Sequence, residues 1–241
     1  MTLATLESIG RLGKIDPADI MKNFYRWFEH ADFTPWDEVF DVGAGTQRAI
    51  SRYAQGMPLN SCGGDSFRDN GNGSLMRILP LALVPHTGRD IVDVSSLTHA
   101  HSISQNACLI YVSIADHLLA GESKEQAVAK GIQAITSEEY ARLPEIHQCE
   151  RGEIKSTGYV VDTLEAALWC FLNTDNYRGC VLTAVNLGDD TDTVAAIAGG
   201  LAGILYGVGG DAGIPEQWIS NIARKEWIRQ LCENVKRTFS E

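Results

Sequence analysis

Apolar residues recur at every third or fourth position along nearly the whole chain, and almost no stretch alternates with a period of two. This spacing is typical of amphipathic helices, whereas half-buried strands alternate. The pattern therefore predicts an all-α protein. We expect Thr2 to cap the first helix and Pro17 to open the second. The predicted helices cover 2–12, 17–30, 45–55, 74–84, 90–99, 103–120, 123–136, 159–173, 176–186, 191–207 and 217–238.

Three long segments interrupt the helical pattern, at 31–44, 56–73 and 137–158, where glycine, proline, asparagine and charged residues replace the apolar ones. Long loops in a compact helical domain usually carry function. The chain has 241 residues, of which 44% are hydrophobic. That content is enough for one large core, so we expect a single domain over 1–241.

Composition excludes several classes of partner. The net charge of −11 argues against binding to nucleic acid, because such proteins present a basic face to the phosphates. The longest apolar run, 194–208, is broken by glycines and is shorter than the roughly 20 residues that cross a bilayer. The chain begins without a basic-then-apolar leader, and its six cysteines show no CxxC spacing. We therefore expect a cytoplasmic protein with reduced, core-packed thiols and no membrane partner.

Three aspartates stand within four positions at the start of the helix predicted over 191–207. One anion stabilises a helix N-terminus by roughly 0.3–1 kcal/mol, but three so close together repel one another. A hard divalent cation relieves that repulsion and takes carboxylate and hydroxyl oxygens as ligands. Asp190, Asp192 and Thr193 are therefore candidate metal ligands. The alternative is simple N-capping by Asp190 or Thr191, with the other acids in solvent.

The helix behind these acids has no charge between Val194 and Tyr206 and carries glycine at 199, 203 and 207. Glycine inside a helix costs about 1 kcal/mol relative to alanine, so close packing has to offset it. The pattern predicts a central helix with tightly packed neighbours, which would hold the acidic tip rigidly.

A glycine-rich turn, Gly71-Asn72-Gly73, precedes the helix predicted over 74–84. Backbone amides in such a turn either cradle a diphosphate or form an ordinary turn. We expect Arg77, one turn further on, to pair with a carboxylate at the edge of the core.

Two histidines, His99 and His101, stand at the end of the helix predicted over 90–99 and before the helix predicted over 103–120. No other histidine or cysteine stands at ligand spacing, so zinc is not indicated. Either imidazole could bond a ligand phosphate or ribose, or bond the end of a helix. Tyr159 precedes another amphipathic helix, where it either stacks on a base or sugar or fixes the loop.

These segments, in this order, resemble the ADP-ribosylglycohydrolases, which include the dinitrogenase reductase-activating glycohydrolase and the ADP-ribosylarginine and ADP-ribosylserine hydrolases. Segment 186–207 is similar to the family's asparagine-leucine-glycine and aspartate-threonine-aspartate-threonine motif with its alanine- and glycine-rich helix. Segment 71–80 resembles the family's NG-x-x-MR-x-x-P motif, and 98–101 and 156–169 also look like family segments. The resemblance covers nearly the whole chain and implies an orthogonal helical bundle.

The resemblance implies a hydrolase that removes ADP-ribose from a modified protein side chain or small molecule, with a centre of two Mg²⁺ or Mn²⁺ ions. The implied metal ligands are Asp190, Asp192 and Thr193, and the first two are also the implied catalytic residues. The implied ligand-binding residues are Gly71, Asn72, Gly73, His99, His101 and Tyr159. An acidic residue would act as general acid or base.

Two departures from the family pattern modify these expectations. The family's first acidic metal motif would precede Met1, so we expect an N-terminally truncated bundle. Without the ligands of that motif, the site should hold one ion or none, and the activity should be impaired. The alternative function is a non-catalytic module for ADP-ribose binding or protein interaction. Apolar surface left uncovered by the truncation would favour a homo-oligomer. Asp189 stands where the family usually has glycine, and it either supplements the ligands or points to solvent.

Overall fold

The computed structural model describes residues 1–240. Within them lie eleven α-helices, and extended pairing is confined to isolated bridges at Gly64–His99, Gly71–Tyr159 and Val208–Ile214. The prediction of an all-α protein is confirmed. The helices are α1 (Thr2–Leu12), α2 (Pro17–His30), α3 (Ala44–Ala54), α4 (Gly88–Ser96), α5 (Ser102–Leu119), α6 (Lys124–Gln133), α7 (Val160–Leu172), α8 (Tyr177–Val185), α9 (Thr191–Tyr206), α10 (Glu216–Ser220) and α11 (Lys225–Thr238).

Two of the predicted helices form differently. The range 74–84 contains the 3-10 turns Leu75–Arg77 and Leu79–Leu83, because Pro80 lacks the N–H that a continuous α-helix requires. The range 217–238 is divided into α10 and α11 at Arg224, which has a φ of +55°. Arg224 donates to the carbonyl of Thr34 at 2.8 Å, so a tertiary contact accompanies the break.

Two smaller expectations were also wrong. Thr2 is the first residue of α1 rather than its cap, and its hydroxyl donates to the carbonyl of Met76 at 3.4 Å. Cys232 is exposed and Cys149 half-buried, while the other four cysteines are buried as expected and all six are free. No helix within residues 1–240 has the length and apolar character needed to cross a membrane.

Helix α9 occupies the middle of the bundle, where it contacts α5, α7, α8 and the first of the two 3-10 turns. Its buried residues include Val194, Ile197 and Leu201. The hydroxyl of Tyr111 on α5 donates to the carbonyl of Ile197 at 2.8 Å, which links the two helices. Because α9 is packed on several sides, its N-terminal aspartates stand on a rigid support.

The glycines of α9 differ in how closely they are packed. A Cβ at Gly199 would lie 3.2 Å from Val181, whereas at Gly203 its nearest neighbour would be 3.7 Å away. Gly207 ends the helix with a φ of +66°, and no atom lies within 4 Å of the position that its Cβ would take. The tightest position is Gly200, outside the four-residue repeat, where a Cβ would lie 2.5 Å from the Tyr111 hydroxyl.

Alanine at Gly200 and at Gly203 should change stability in opposite directions. At Gly200 the buried Tyr111 ring cannot move away freely, so overpacking of about 1–3 kcal/mol outweighs the gain in helix propensity. At Gly203 the contacts are ordinary, and Gly203→Ala should stabilise the protein by about 0.5–1 kcal/mol. Urea unfolding of both variants measures the difference, and an equal effect at the two positions would contradict this packing.

Candidate functional site

A cavity of about 520 Å³ opens at the N-terminus of α9. It lies between that helix end, the glycine-asparagine turn, the loop before α3 and the first turn of α1. Seven of the nine predicted site residues contribute to its wall, namely Gly71, Asn72, Gly73, His99, Asp190, Asp192 and Thr193. His101 and Tyr159 lie beside the cavity and are not part of its wall.

Asp190 occupies the N-cap position of α9 without capping it, because its side chain makes no hydrogen bond to the first helical turn. Its carboxylate accepts instead from the side-chain amide of Asn72 at 2.7 Å. Its backbone N–H donates to the carbonyl of Ser156 at 2.9 Å. The simple capping alternative therefore does not describe Asp190, whose carboxylate is directed to the glycine-asparagine turn.

Asn72 connects three segments at the floor of the site. Its side-chain amide also donates to the hydroxyl of Thr163 on α7 at 3.0 Å, and its backbone N–H donates to the carbonyl of Gly158 at 3.1 Å. The side chain is 9% exposed. Because both amide hydrogens of this nearly buried side chain have partners, the orientation of the Asp190 carboxylate is set before any ligand arrives.

The other two candidate ligands differ in accessibility. Asp192 is exposed at the cavity, whereas Thr193 is buried. Asp189 has a φ of +52°, is exposed and lies outside the cavity wall, as expected for a side chain that points to solvent. The tip of α9 therefore contributes one exposed carboxylate, Asp192, and one, Asp190, that is held by Asn72.

The donors at the helix tip are two carboxylates and a hydroxyl, all from one turn of α9. Residues 1–240 contain no group of three or more His, Cys, Asp or Glu side chains arranged to hold a metal. Mg²⁺ is commonly held by one or two carboxylates, with water and substrate oxygens filling its remaining positions. The residues present therefore fit a single hard divalent cation and do not form an all-protein cage.

His99 is 4% exposed and its ring fills the space beside three glycines. A Cβ at Gly45, Gly71 or Gly73 would lie 3.2, 3.3 or 2.9 Å from that ring. Its Nδ1 lies 2.7 Å from the hydroxyl of Thr98. The absence of side chains at these glycines therefore lets the first turn of α3 and the glycine-asparagine turn pack closely around one imidazole.

Burial lowers the pKa of His99 to about 3, and the nearby charge of Arg77 acts in the same direction. The imidazole is therefore neutral at physiological pH. It serves as a packing element of the cavity wall, and any hydrogen bond it offers to a ligand comes from a neutral ring.

The pKa of His99 makes a prediction for stability. In the unfolded chain the imidazole binds a proton below about pH 6.5, whereas in the folded protein it does so only near pH 3, so stability falls as the pH drops between these values. Between pH 7 and pH 5 the wild type should lose about 2 kcal/mol more unfolding free energy than His99→Gln. Urea unfolding at both pH values measures the difference, and identical losses would contradict a buried neutral imidazole.

His101 and Tyr159 have structural contacts close to the site. The Nδ1 atom of His101 accepts from the N–H of Ile103 at 3.3 Å and lies 3.0 Å from the Asn70 side-chain amide, so it caps the start of α5. Tyr159 is half-buried and forms the isolated bridge with Gly71. These contacts fit a helix-end role for His101 and a loop-fixing role for Tyr159, and contact of either side chain with a ligand stays a prediction.

The sequence did not single out several residues of the cavity wall. Phe40 and Asp41, from the long loop 31–44, contribute to it, and Phe40 is 79% exposed. An aromatic residue in a polar loop, such as Phe40, is a sequence signal that could have indicated a place in the cavity wall. Arg77 also lies in the cavity wall. The prediction that it pairs with a carboxylate was wrong for residues 1–240, where its guanidinium donates to the backbone carbonyls of Gly73 and Val94.

Comparison with known proteins identifies the family. The model of the family described as ADP-ribosylglycohydrolase matches residues 1–241. The chain belongs to the ADP-ribosylglycohydrolase family. A solved structure described as an ADP-ribosylglycohydrolase-related protein complex matches this ADP-ribosylglycohydrolase chain with a TM-score of 0.79 and 29% identity, covering 98% of this chain and 79% of that one.

Two curated relatives of this ADP-ribosylglycohydrolase chain have similar identities. The ADP-ribosylarginine hydrolase Tri1 of Pseudomonas putida (strain GB-1) is 33% identical, over 98% of this chain and 64% of the relative. The ADP-ribosyl-[dinitrogen reductase] glycohydrolase of Rhodospirillum rubrum is 32% identical, over 93% of this chain and 72% of the relative. The chain thus spans slightly less than two thirds of the first relative's length.

Proposed function

We propose that this chain hydrolyses the bond between ADP-ribose and a modified arginine side chain, in a reaction that depends on Mg²⁺ or Mn²⁺. The observation that carries the proposal is the convergence of Asp190, Asp192 and the Gly71–Gly73 turn on one cavity. The names of two relatives, which refer to ADP-ribosylarginine and to ADP-ribosyl-dinitrogen reductase, support the substrate class. An ADP-ribosylated polypeptide is the proposed substrate.

The glycine-asparagine turn offers donors for the diphosphate. Within residues 1–240, the backbone N–H groups of Gly71 and Gly73 donate to no protein acceptor, while that of Asn72 is bonded to Gly158. Free amides in a glycine-rich turn are a favourable environment for phosphate oxygens. We assign the diphosphate to this wall of the cavity, which directs the ribose toward the tip of α9.

The aspartates then act at the ribose. When bound at Asp190, Asp192 and Thr193, the divalent cation supplies Lewis-acid polarisation of substrate oxygens. Asp192 is the exposed carboxylate at the tip of α9, so it can accept the proton of a water that attacks the anomeric carbon while the bond to the arginine nitrogen breaks. Asp190 keeps a fixed orientation through Asn72. The leaving guanidine nitrogen takes up the proton that Asp192 accepted from the water, which restores the carboxylate, and the arginine side chain departs from the open side of the cavity.

The test is release of ADP-ribose from an ADP-ribosylated arginine peptide by the 241-residue chain, with Mg²⁺ and with a chelator. We expect release with Mg²⁺ and none with the chelator. Release that the chelator leaves unchanged would contradict the metal dependence. Binding of ADP-ribose by calorimetry without any release would instead identify a non-catalytic ADP-ribose-binding module. An absence of both binding and release would contradict the proposed function.

A further inference from the structure

Arg77 is a buried cation without a counter-charge in residues 1–240. Its side chain is 0% exposed, which makes it one of the largest fully buried side chains of the protein. Burial lowers the pKa of Arg77 to about 10. Within residues 1–240, the one group that acts in the opposite direction is the side chain of Cys108. A buried charge without an ionic partner carries a desolvation penalty of several kcal/mol.

The contacts of Arg77 satisfy the guanidinium in part and leave its charge uncompensated. Its Nη1 donates to the carbonyl of Gly73 at 2.5 Å, and its Nη2 to the carbonyl of Val94 at 3.3 Å. The guanidinium lies over the ring of Phe24, 4.9 Å from the centroid. The Nε–H has no acceptor within residues 1–240. Carbonyls and the ring of Phe24 carry no net charge, so a net positive charge remains inside the protein.

The position of that charge is informative, because Arg77 lies in the cavity wall. It is hydrogen-bonded to Gly73, the last residue of the Gly71–Gly73 turn, and this turn lines the same cavity. Its charge also acts on His99, which packs against the same turn. The positive charge of Arg77 therefore raises the electrostatic potential at the part of the cavity wall where an anion would bind.

We propose that Arg77 is a positioning residue for the anionic diphosphate of the ligand. It engages the carbonyl of Gly73, which leaves the amides of Gly71 and Gly73 as the polar groups offered to the diphosphate. It also places a buried positive charge behind them. The inference rests on the proposed function, because it takes ADP-ribose as the ligand. A neutral side chain of similar length would fill the same volume without supplying the charge.

The test compares Arg77→Met, which removes the charge, with Arg77→Lys, which keeps it. Calorimetric titration of the full chain with ADP-ribose and with adenosine separates the diphosphate from the rest of the ligand. Arg77→Met should weaken ADP-ribose binding roughly 10- to 30-fold, as expected for loss of one unit charge near the ligand at an intermediate dielectric. Arg77→Lys should bind within roughly 5-fold of wild type, and adenosine binding should be unchanged in both variants.

A second measurement shows whether the variant is folded and has lost the charge. In Arg77→Met the pKa of His99, followed by NMR, should rise, because the repulsion by Arg77 is removed. Unchanged ADP-ribose affinity in Arg77→Met would overturn the inference, as would equal losses for ADP-ribose and adenosine, which would indicate a purely structural role. Failure of the wild-type chain to bind ADP-ribose would overturn the proposed function itself, so the two failures are distinguishable.

Discussion

Asp192→Asn should reduce the rate of ADP-ribose release by about 100-fold or more, measured with an ADP-ribosylated arginine peptide at saturating Mg²⁺. The substitution preserves the size of the side chain but removes the exposed negative charge at the tip of α9. A carboxylate that both ligates a cation and accepts a proton contributes several kcal/mol to the transition state, and about 3 kcal/mol corresponds to roughly 10²-fold in rate.

Asp189→Asn is the matched control for this prediction. Asp189 is three positions away in the sequence, is exposed and lies outside the cavity wall. Its φ of +52° is a conformation that asparagine adopts readily, so the substitution should not strain the backbone. We expect its rate to stay within about twofold of wild type. Equal losses in the two variants would show that the general negative potential of the helix tip matters, rather than the position of Asp192.

Gly63→Ala should lower the free energy of unfolding by about 3 kcal/mol. A Cβ at this buried position would lie 2.1 Å from the carbonyl oxygen of Ser96, and backbone cannot rotate away as a side chain can. The next residue, Gly64, exchanges backbone hydrogen bonds with Thr98 and Ala100 at 3.2 and 2.7 Å. The clash would therefore displace the segment that carries His99 into the cavity wall.

The measurement is thermal unfolding, where about 3 kcal/mol corresponds to a decrease of roughly 6–12 °C in Tm for a chain of this size. Gly152→Ala is the control, because Gly152 is exposed, has no atom within 4 Å of a Cβ position and needs no positive φ. It should leave Tm within about 2 °C of the wild-type value. A similar small change in Gly63→Ala would contradict the close approach of the two backbones.

The helical elements were largely predictable because each depends on local spacing and local end signals. Pro17 opens α2, and Asp16 caps it through hydrogen bonds to Ala18 and Asp19. The small-residue helix α9 begins at its predicted start and ends within one residue of its predicted end, since its acids and its apolar run are adjacent in sequence. Periodicity reports such features directly.

The errors arose where contacts distant in sequence override local preference. Arg224 separates α10 from α11 in a stretch that reads as one amphipathic helix, and its partners are Thr34 and the ring of Trp227. Arg77 was expected to find a carboxylate, yet it is held by carbonyls of Gly73 and Val94. Nothing in the local sequence distinguishes an arginine with a partner from one without.

Most of the candidate residues that line the cavity were predictable as a list, whereas their geometry was not. The spacing of the acids indicated Asp190 and Asp192, and the glycines indicated the turn at Gly71–Gly73. The hydrogen bond between Asn72 and Asp190 joins residues 118 positions apart, and no periodic pattern encodes such a contact. The exposed state of Asp192 and the buried state of His99 also required the folded chain.

Three loops and a helix end are joined at the cavity through backbone hydrogen bonds: Asn72 to Gly158, Val160 to Asn70, Asp190 to Ser156 and Gly64 to Thr98. Segments linked in this way open together or stay closed together. Their amide hydrogens should therefore exchange with deuterated solvent at one common rate, slower than those of the loop 35–42. A ligand that contacts any one of these segments would then slow exchange in all of them, so exchange protection would report occupancy of the cavity even where the ligand makes no direct contact.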